Sequence, residues 1–271
     1  MSALKITAAA IQMVSGDNVE QNFHDAMHLA RNAVAEYGAN LIVFPENFLC
    51  FGGKQQVYLA KNITFYIQEF QEIAKALNIN LVLGSMPSLT RQDGSPTDGR
   101  YRSSSYVINS QGLICCQYDK IHLFDVDVDD AQGCYRESNE FEAGDAIKVV
   151  DLDVCCLGLS ICYDLRFPDL FQKLRFAGAN VIVVPAAFTK VTGKAHWEIL
   201  LRARAIETQS YIIAANQGGQ HTAQRETWGH SMIISPWGEI IAEQGTGKGI
   251  CSATLDLEIL NEIRKAMLLE P

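Results

Sequence analysis

Leu41-Ile42-Val43-Phe44-Pro45-Glu46-Asn47 sets four apolar residues before a proline and a carboxylate. A run this short, closed by a turn residue, reads as a strand buried on both faces, because helices extend over ten residues or more. Working outward, Val19–Tyr37 repeats apolar residues at helical spacing, and Gly38 suits a left-handed stop. Gln56–Leu77 repeats that pattern on the other side, between apolar runs at residues 6–13 and 80–84. Strands alternating with helices in this way predict an α/β fold whose sheets are covered by helices.

The middle of the chain reads differently. Residues 103–109 and 113–118 form a strand pair across Asn109-Ser110-Gln111-Gly112, a hairpin signal. Residues 125–144 are polar, acidic and without periodicity, so a long loop is expected there, a class that often carries function. Strands at 147–152 and 154–161 follow, then a helix at Pro168–Phe176 whose proline fits the first turn. The spacing next predicts a strand at 181–185, a helix at 197–209 and a strand at 211–216. Two strands flanking Pro236-Trp237-Gly238-Glu239, one at 251–255 and a helix at 257–268 complete the chain. No linker or low-complexity segment interrupts residues 1–271, which read as a single domain.

Composition removes several classes. A net charge of −9 and an isoelectric point near 5.2 oppose a nucleic-acid surface, which needs clustered Lys and Arg. The N-terminus lacks a basic leader with an apolar core and cleavage site, and its first apolar stretch is too short for a bilayer. A cytoplasmic protein without membrane partners is expected. The eight cysteines include adjacent pairs, Cys115-Cys116 and Cys155-Cys156, whose strand neighbours face opposite ways. With no C-x-x-C spacing, neither a disulfide framework nor a metal site is expected, and no cofactor is called for. Gly218-Gly219 is no dinucleotide fingerprint.

Three apolar strands end at reactive side chains: 41–45 at Glu46, 113–119 at Lys120 and 154–161 at Cys162. In open α/β sheets, strand ends gather round ligands, so the three are candidates for one pocket. A thiol near pKa ~8.5 needs a base or cation beside it to become a nucleophile. Glu46 can take its proton. Lys120 can lower its pKa and stabilise an oxyanion, assisted by the backbone N–H of Tyr163. Taken singly, each residue has a plainer reading: a core cysteine, an exposed strand-end carboxylate, a solvated lysine.

Phe44-Pro45-Glu46-Asn47, Tyr118-Asp119-Lys120-Ile121-His122-Leu123-Phe124-Asp125 and Leu159-Ser160-Ile161-Cys162-Tyr163-Asp164-Leu165-Arg166-Phe167-Pro168 resemble, in order, the glutamate, lysine and nucleophile motifs of the nitrilase (carbon–nitrogen hydrolase) superfamily. The resemblance runs from Ile6 to about Leu255. It implies a catalytic triad of Glu46, Lys120 and Cys162, and a four-layer αββα sandwich that stacks into αββααββα on dimerisation, giving a homodimer or higher homo-oligomer. Glu137 matches a second glutamate often found in the family, which would hold Lys120 and polarise the bound amide.

Tyr135-Arg136-Glu137-Ser138, Trp197-Glu198, Arg202 to Glu207 and Arg225 to Ser231 look most similar to the Nit branch and its deaminated-glutathione amidases. That resemblance implies a small anionic amide substrate, N-(4-oxoglutaryl)-cysteinylglycine, cleaved to 2-oxoglutarate and cysteinylglycine through a cysteine thioester, as metabolite repair. An ω-amidase acting on 2-oxoglutaramate or 2-oxosuccinamate, and a catalytically silent scaffold, are the alternatives. Arg166 is the expected carboxylate fork, against an ion pair with Asp164 or Asp169. Thr189, Lys190 and Tyr135 are expected to line the pocket, with His196-Trp197 as a wall and Trp197 mainly packing. Arg202 and Arg204 suit helical ion pairs or an interface, and His122 a hydrogen bond in the lysine loop.

Overall fold

In the computed structural model, residues 6–53 and 55–269 are described. The first sheet holds β1 (Ile6–Gln12), β2 (Leu41–Val43), β3 (Asn80–Ser88), β4 (Arg102–Ile108), β5 (Ile114–Asp119) and β14 (Gly249–Leu255), in the order β14-β1-β2-β3-β4-β5. The second holds β8 (Val149–Asp151), β9 (Cys156–Leu159), β10 (Val181–Val183), β11 (Tyr211–Ala214), β12 (Met232–Ile234) and β13 (Ile240–Glu243), in the order β13-β12-β11-β10-β9-β8. β1, β2 and β3 are parallel, as are β9, β10 and β11. Antiparallel neighbours extend both sets. Helices α1 (Val19–Tyr37) and α2 (Gln56–Leu77) belong to the first half, α3 (Pro168–Phe176) and α4 (Lys190–Thr208) to the second, and α5 (Leu257–Ala266) follows β14.

Strand alternation sorts the apolar residues into layers. Ala8, Ala10, Leu41, Val43, Val82 and Val107 join one core with residues of the second sheet, α3 and α4. Their chain neighbours Ala9, Ile11, Ile42, Phe44, Leu81 and Ile108 join another with α1 and α2. The first sheet is therefore covered by helices on one face and by the second sheet on the other. This is the four-layer αββα sandwich. Each buried apolar side chain adds about 1.5–3 kcal/mol relative to exposure, so the two cores dominate stability.

Local chemistry sets the helix ends. The Asn18 side chain accepts the Gln21 N–H at 3.0 Å, and Gly38 closes α1 with φ 67°. Two expectations are corrected. Residues 125–144 are not a plain loop: Asp125–Asp127 (β6) pairs with Cys134–Arg136 (β7), and Glu137–Asn139 forms a 3₁₀ turn. Strands of three residues are too short to display alternation. Helix α4 begins at Lys190 rather than at 197, because Thr189 caps it by accepting the Thr192 N–H at 3.2 Å.

Two glycines permit the close approaches that aim the strand ends. A Cβ on Gly84 would lie 1.8 Å from the Pro45 carbonyl oxygen, and one on Gly144 would lie 2.1 Å from that of Asp119. Those carbonyls immediately precede Glu46 and Lys120. Gly84→Ala is expected to destabilise the protein by about 1–3 kcal/mol through overpacking against backbone. Urea unfolding measures this, and a midpoint unchanged from wild type would show that the strand end yields freely.

Candidate active site

Glu46 emerges where β2 ends, with its backbone held at two points. Its carbonyl accepts from Gln217 Nε2 at 3.1 Å, and the following Asn47 N–H donates to Ser85 Oγ at 3.1 Å. Lys120 follows β5 directly. Its N–H donates to the Ser103 carbonyl at 3.0 Å and its carbonyl accepts from Gly144 at 2.7 Å. The ammonium is 2% exposed and donates to Glu46 Oε1 at 2.8 Å and to Glu137 Oε1 and Oε2 at 3.0 and 2.8 Å. Glu137 is fixed in turn by the Phe124 N–H, 2.6 Å from its Oε2.

Cys162 opens a 3₁₀ turn, Cys162–Arg166, after β9, and has φ 50°. This left-handed conformation is unusual for a side chain with a Cβ, and such residues cluster at functional sites. The Cys162 N–H is taken by the Pro185 carbonyl at 2.8 Å. Asp164, fully buried, locks the turn: its Oδ2 accepts from the Ile161 N–H at 2.9 Å and from Tyr118 Oη at 2.7 Å. Its Oδ1 accepts from the His122 N–H at 3.0 Å and meets His122 Nδ1 at 2.7 Å. The lysine strand and the nucleophile turn thus share one carboxylate.

Charge in this cluster is one-sided. Burial pulls the Lys120 ammonium down, but Glu137, Glu46 and Cys162 outweigh it and hold its pKa well above the ordinary value. Burial raises Glu137, opposed by Lys120. The Cys162 thiol is pushed well up, first by burial and then by Glu46, which also accepts its hydrogen bond; Lys120 acts in the opposite direction. The expectation that Lys120 lowers the thiol pKa holds for the sign of its own effect but not for the net shift. The resting sulfur is a protonated thiol beside a carboxylate, so ionising it requires handing the proton to a base.

A cavity of about 340 Å³ is lined by Glu46, Lys120, Glu137 and Cys162, and also by Tyr163, Arg166, Thr189 and Tyr135. Lys190 lies outside it, a correction. Thr189 turns inward while Lys190, first residue of α4, turns out to Glu226, 2.9 Å away on the surface. Arg166 makes no ion pair among the described residues; Asp164 is already engaged, and the guanidinium lies 3.3 Å from His196 Nδ1 and over the rings of Tyr163 and Phe188. Trp197 is buried against Phe188 and donates to the His230 carbonyl at 2.7 Å, so it packs behind the wall. Arg202 and Arg204 form the helical pairs expected of them, with Glu198 and Glu207. Sequence reasoning missed Arg225, Phe51, Phe124 and Asn47, which also line the cavity. Asn47 and Phe124 were already visible inside the glutamate and lysine motifs, and Arg225 inside a branch-like stretch, though nothing there marked a place in the cavity; Phe51 carries no local signal.

A buried carboxylate, a buried ammonium and a thiol on one cavity wall fit acyl transfer to sulfur: base, oxyanion partner and nucleophile. The carbon–nitrogen hydrolase family model matches residues 7–265, and the chain belongs to that family. Among similar proteins, the deaminated glutathione amidase of Yersinia enterocolitica is 43% identical over 262 residues, spanning 96% of this chain and 90% of that protein. The Homo sapiens protein of the same name is 37% identical over 261 residues, 95% and 79% of the two chains. Among solved structures, the C. elegans NitFhit protein aligns with a TM-score of 0.88 at 36% identity. That alignment covers 98% of this chain but 64% of the longer worm chain. Saccharomyces cerevisiae Nit3, of the nitrilase superfamily, aligns with a TM-score of 0.86 at 27% identity, covering 99% and 96%. The fold is that of the nitrilases, and the protein is a carbon–nitrogen hydrolase.

One cavity-side support responds to pH. His221 Nδ1 lies 2.7 Å from the Ser15 carbonyl, so it donates there, and Nε2 accepts from Thr227 Oγ1 at 2.7 Å. Burial lowers its pKa from 6.5 to about 4. The unfolded chain therefore binds this proton from about pH 6.5 downward while the folded one resists until about 4, and the stability is lost as pH falls through that window. Compared with His221→Gln, the wild-type advantage in melting temperature should shrink from pH 7 to 4. A constant difference would contradict a neutral buried imidazole.

Proposed function

We propose that the protein is an amidase that hydrolyses deaminated glutathione, N-(4-oxoglutaryl)-cysteinylglycine, to 2-oxoglutarate and cysteinylglycine. The observation that carries the chemistry is the buried Glu46–Lys120–Glu137 cluster beside the Cys162 thiol. The substrate follows the relatives of that name, aligned along nearly the whole chain.

In this reading Glu46 takes the Cys162 proton as sulfur attacks the amide carbon. The oxyanion is met by the Lys120 ammonium and by the N–H of Tyr163, near the start of a turn whose first N–H groups lack intrahelical acceptors. Glu46 then returns the proton to the leaving amine of cysteinylglycine, leaving the acyl group on sulfur as a thioester. Glu46 next deprotonates water, which attacks the thioester, releases 2-oxoglutarate and restores the thiol. Glu137 holds Lys120 in place through both carboxylate oxygens. Arg166 serves as a carboxylate fork, while Thr189 and Tyr135 shape the wall.

A substrate panel tests this reading: deaminated glutathione, 2-oxoglutaramate and a simple nitrile. Deaminated glutathione should show the highest kcat/KM, and Cys162→Ala and Cys162→Ser should abolish turnover while the circular dichroism spectrum is kept. Preference for 2-oxoglutaramate would redirect the assignment to an ω-amidase. Amine release by either variant would remove Cys162 as nucleophile.

The same reading extends to assembly and location. Ile199, Arg202 and Ile206 share one face of α4, and Ile199 and Ile206 are 70% and 51% exposed. Arg202 Nε donates to the Gly238 carbonyl at 2.8 Å, which brings the 59% exposed Trp237 beside them. A contiguous apolar patch on a helix layer suits pairing of two copies into αββααββα. Ile199→Glu with Ile206→Glu should shift sedimentation to monomer; a wild-type monomer at micromolar concentration would refute the dimer. All eight cysteines are free, which favours the reducing cytoplasm, as cell fractionation would check.

A further inference from the structure

We infer that Arg225 determines specificity by binding a substrate carboxylate with its guanidinium, an inference that rests on the amide-hydrolase reading of this cavity. Arg225 lines the cavity. Its Nη2 donates to the Ala187 carbonyl at 3.0 Å, and its guanidinium carbon lies 4.7 Å from the Tyr135 ring centroid and 5.5 Å from that of Phe51. Phe51 is itself stacked on His221 with ring centroids 3.9 Å apart. The plane of the fork is thereby held by two aromatic rings and one carbonyl. The Tyr135 hydroxyl is its side-chain hydrogen-bonding neighbour, Nη1 is buried without a partner of its own, and no carboxylate forms an ion pair with Arg225 among the described residues.

A buried cationic N–H without an acceptor is costly, and native proteins keep few of them. The acids that could serve are occupied. Asp130 takes the Tyr135 hydroxyl at 2.8 Å and the N–H groups of Gln132 and Gly133. Glu226, the next residue, is drawn to Lys190, and Glu46 and Glu137 to Lys120. In a chain of net charge −9, a guanidinium left unpaired at a cavity wall selects an incoming anion, and a planar fork matches a carboxylate. Arg166 lies over a different pair of rings, Tyr163 and Phe188, so the cavity presents two separately mounted guanidinium groups. An amide with a carboxylate on each side of the scissile bond would engage both.

The experiment compares kcat/KM for 4-carbamoylbutanoate, N-pentanoylglycine and pentanamide, in which the carboxylate is on the acyl side, on the leaving side, or absent. Arg225→Met should lower the charged-to-neutral ratio for at least one acid by about tenfold or more, through KM, the range of a hydrogen bond to a charged group. Arg225→Lys should recover part of it. The acid affected identifies the side of the substrate that Arg225 reads. If pentanamide loses as much as both acids, or neither ratio moves beyond twofold, Arg225 is structural and the inference fails. If the wild type cleaves neither these three nor deaminated glutathione, the amidase reading fails instead. Glutarate titration by calorimetry then decides on Arg225: tenfold weaker binding in Arg225→Met upholds it, and equal affinity overturns it.

Discussion

Burying one ammonium is the constraint from which the site follows. An unpaired charge inside a protein is expensive, and Lys120 sits almost wholly out of water. Its positive charge is met by two carboxylates, one from a strand end and one from the 3₁₀ turn after the β6–β7 pair. Burial first, and then the nearby Glu46 carboxylate, push the neighbouring Cys162 thiol well above its ordinary pKa, against the opposing pull of Lys120. The carboxylate that meets the Lys120 ammonium is thus also one that disfavours a thiolate at Cys162.

The two sheets divide the labour. Glu46 and Lys120 stand at strand ends of the first sheet, and Cys162 follows a strand of the second. Asp164 bridges them by binding Tyr118 and His122 of the lysine segment and the Ile161 N–H of the nucleophile turn. Gln217, after β11 of the second sheet, reaches the Glu46 carbonyl and Ser15 of the first half. With the Ser231 N–H on Gln12 Oε1 and the Gly218 N–H on the Met13 carbonyl, these polar links cross a seam filled largely by apolar side chains.

The sequence made legible what periodicity and motif order encode. The bounds of α1, α2 and α3 could be read off apolar spacing, Gly38 and Pro168, because those signals lie inside the elements themselves. Glu46, Lys120 and Cys162 were readable as strand ends, but their meeting was not, since nothing along the chain states how two sheets face one another. Lys190 was misread for a related reason: next to an inward Thr189, only the helix start decides that the following side chain turns outward. Arg225 was legible only as the start of a branch-like stretch, because its place in the cavity depends on Phe51, Tyr135 and Ala187, distant in sequence and assembled only by folding. The β6–β7 pair escaped because its strands are shorter than one repeat of alternation can reveal.

Because Glu46 and Cys162 ride on opposite sheets, the molecule contains its own slip gauge. A strand advances about 3.3 Å per residue, roughly the whole reach of a hydrogen bond, so displacement by a single residue step along the seam would part sulfur from carboxylate. Such a shear would leave every intrasheet ladder and the helix-covered outer core of the first sheet untouched. Turnover is thus a more sensitive reporter of strain across the sandwich than any spectroscopic signal of secondary structure.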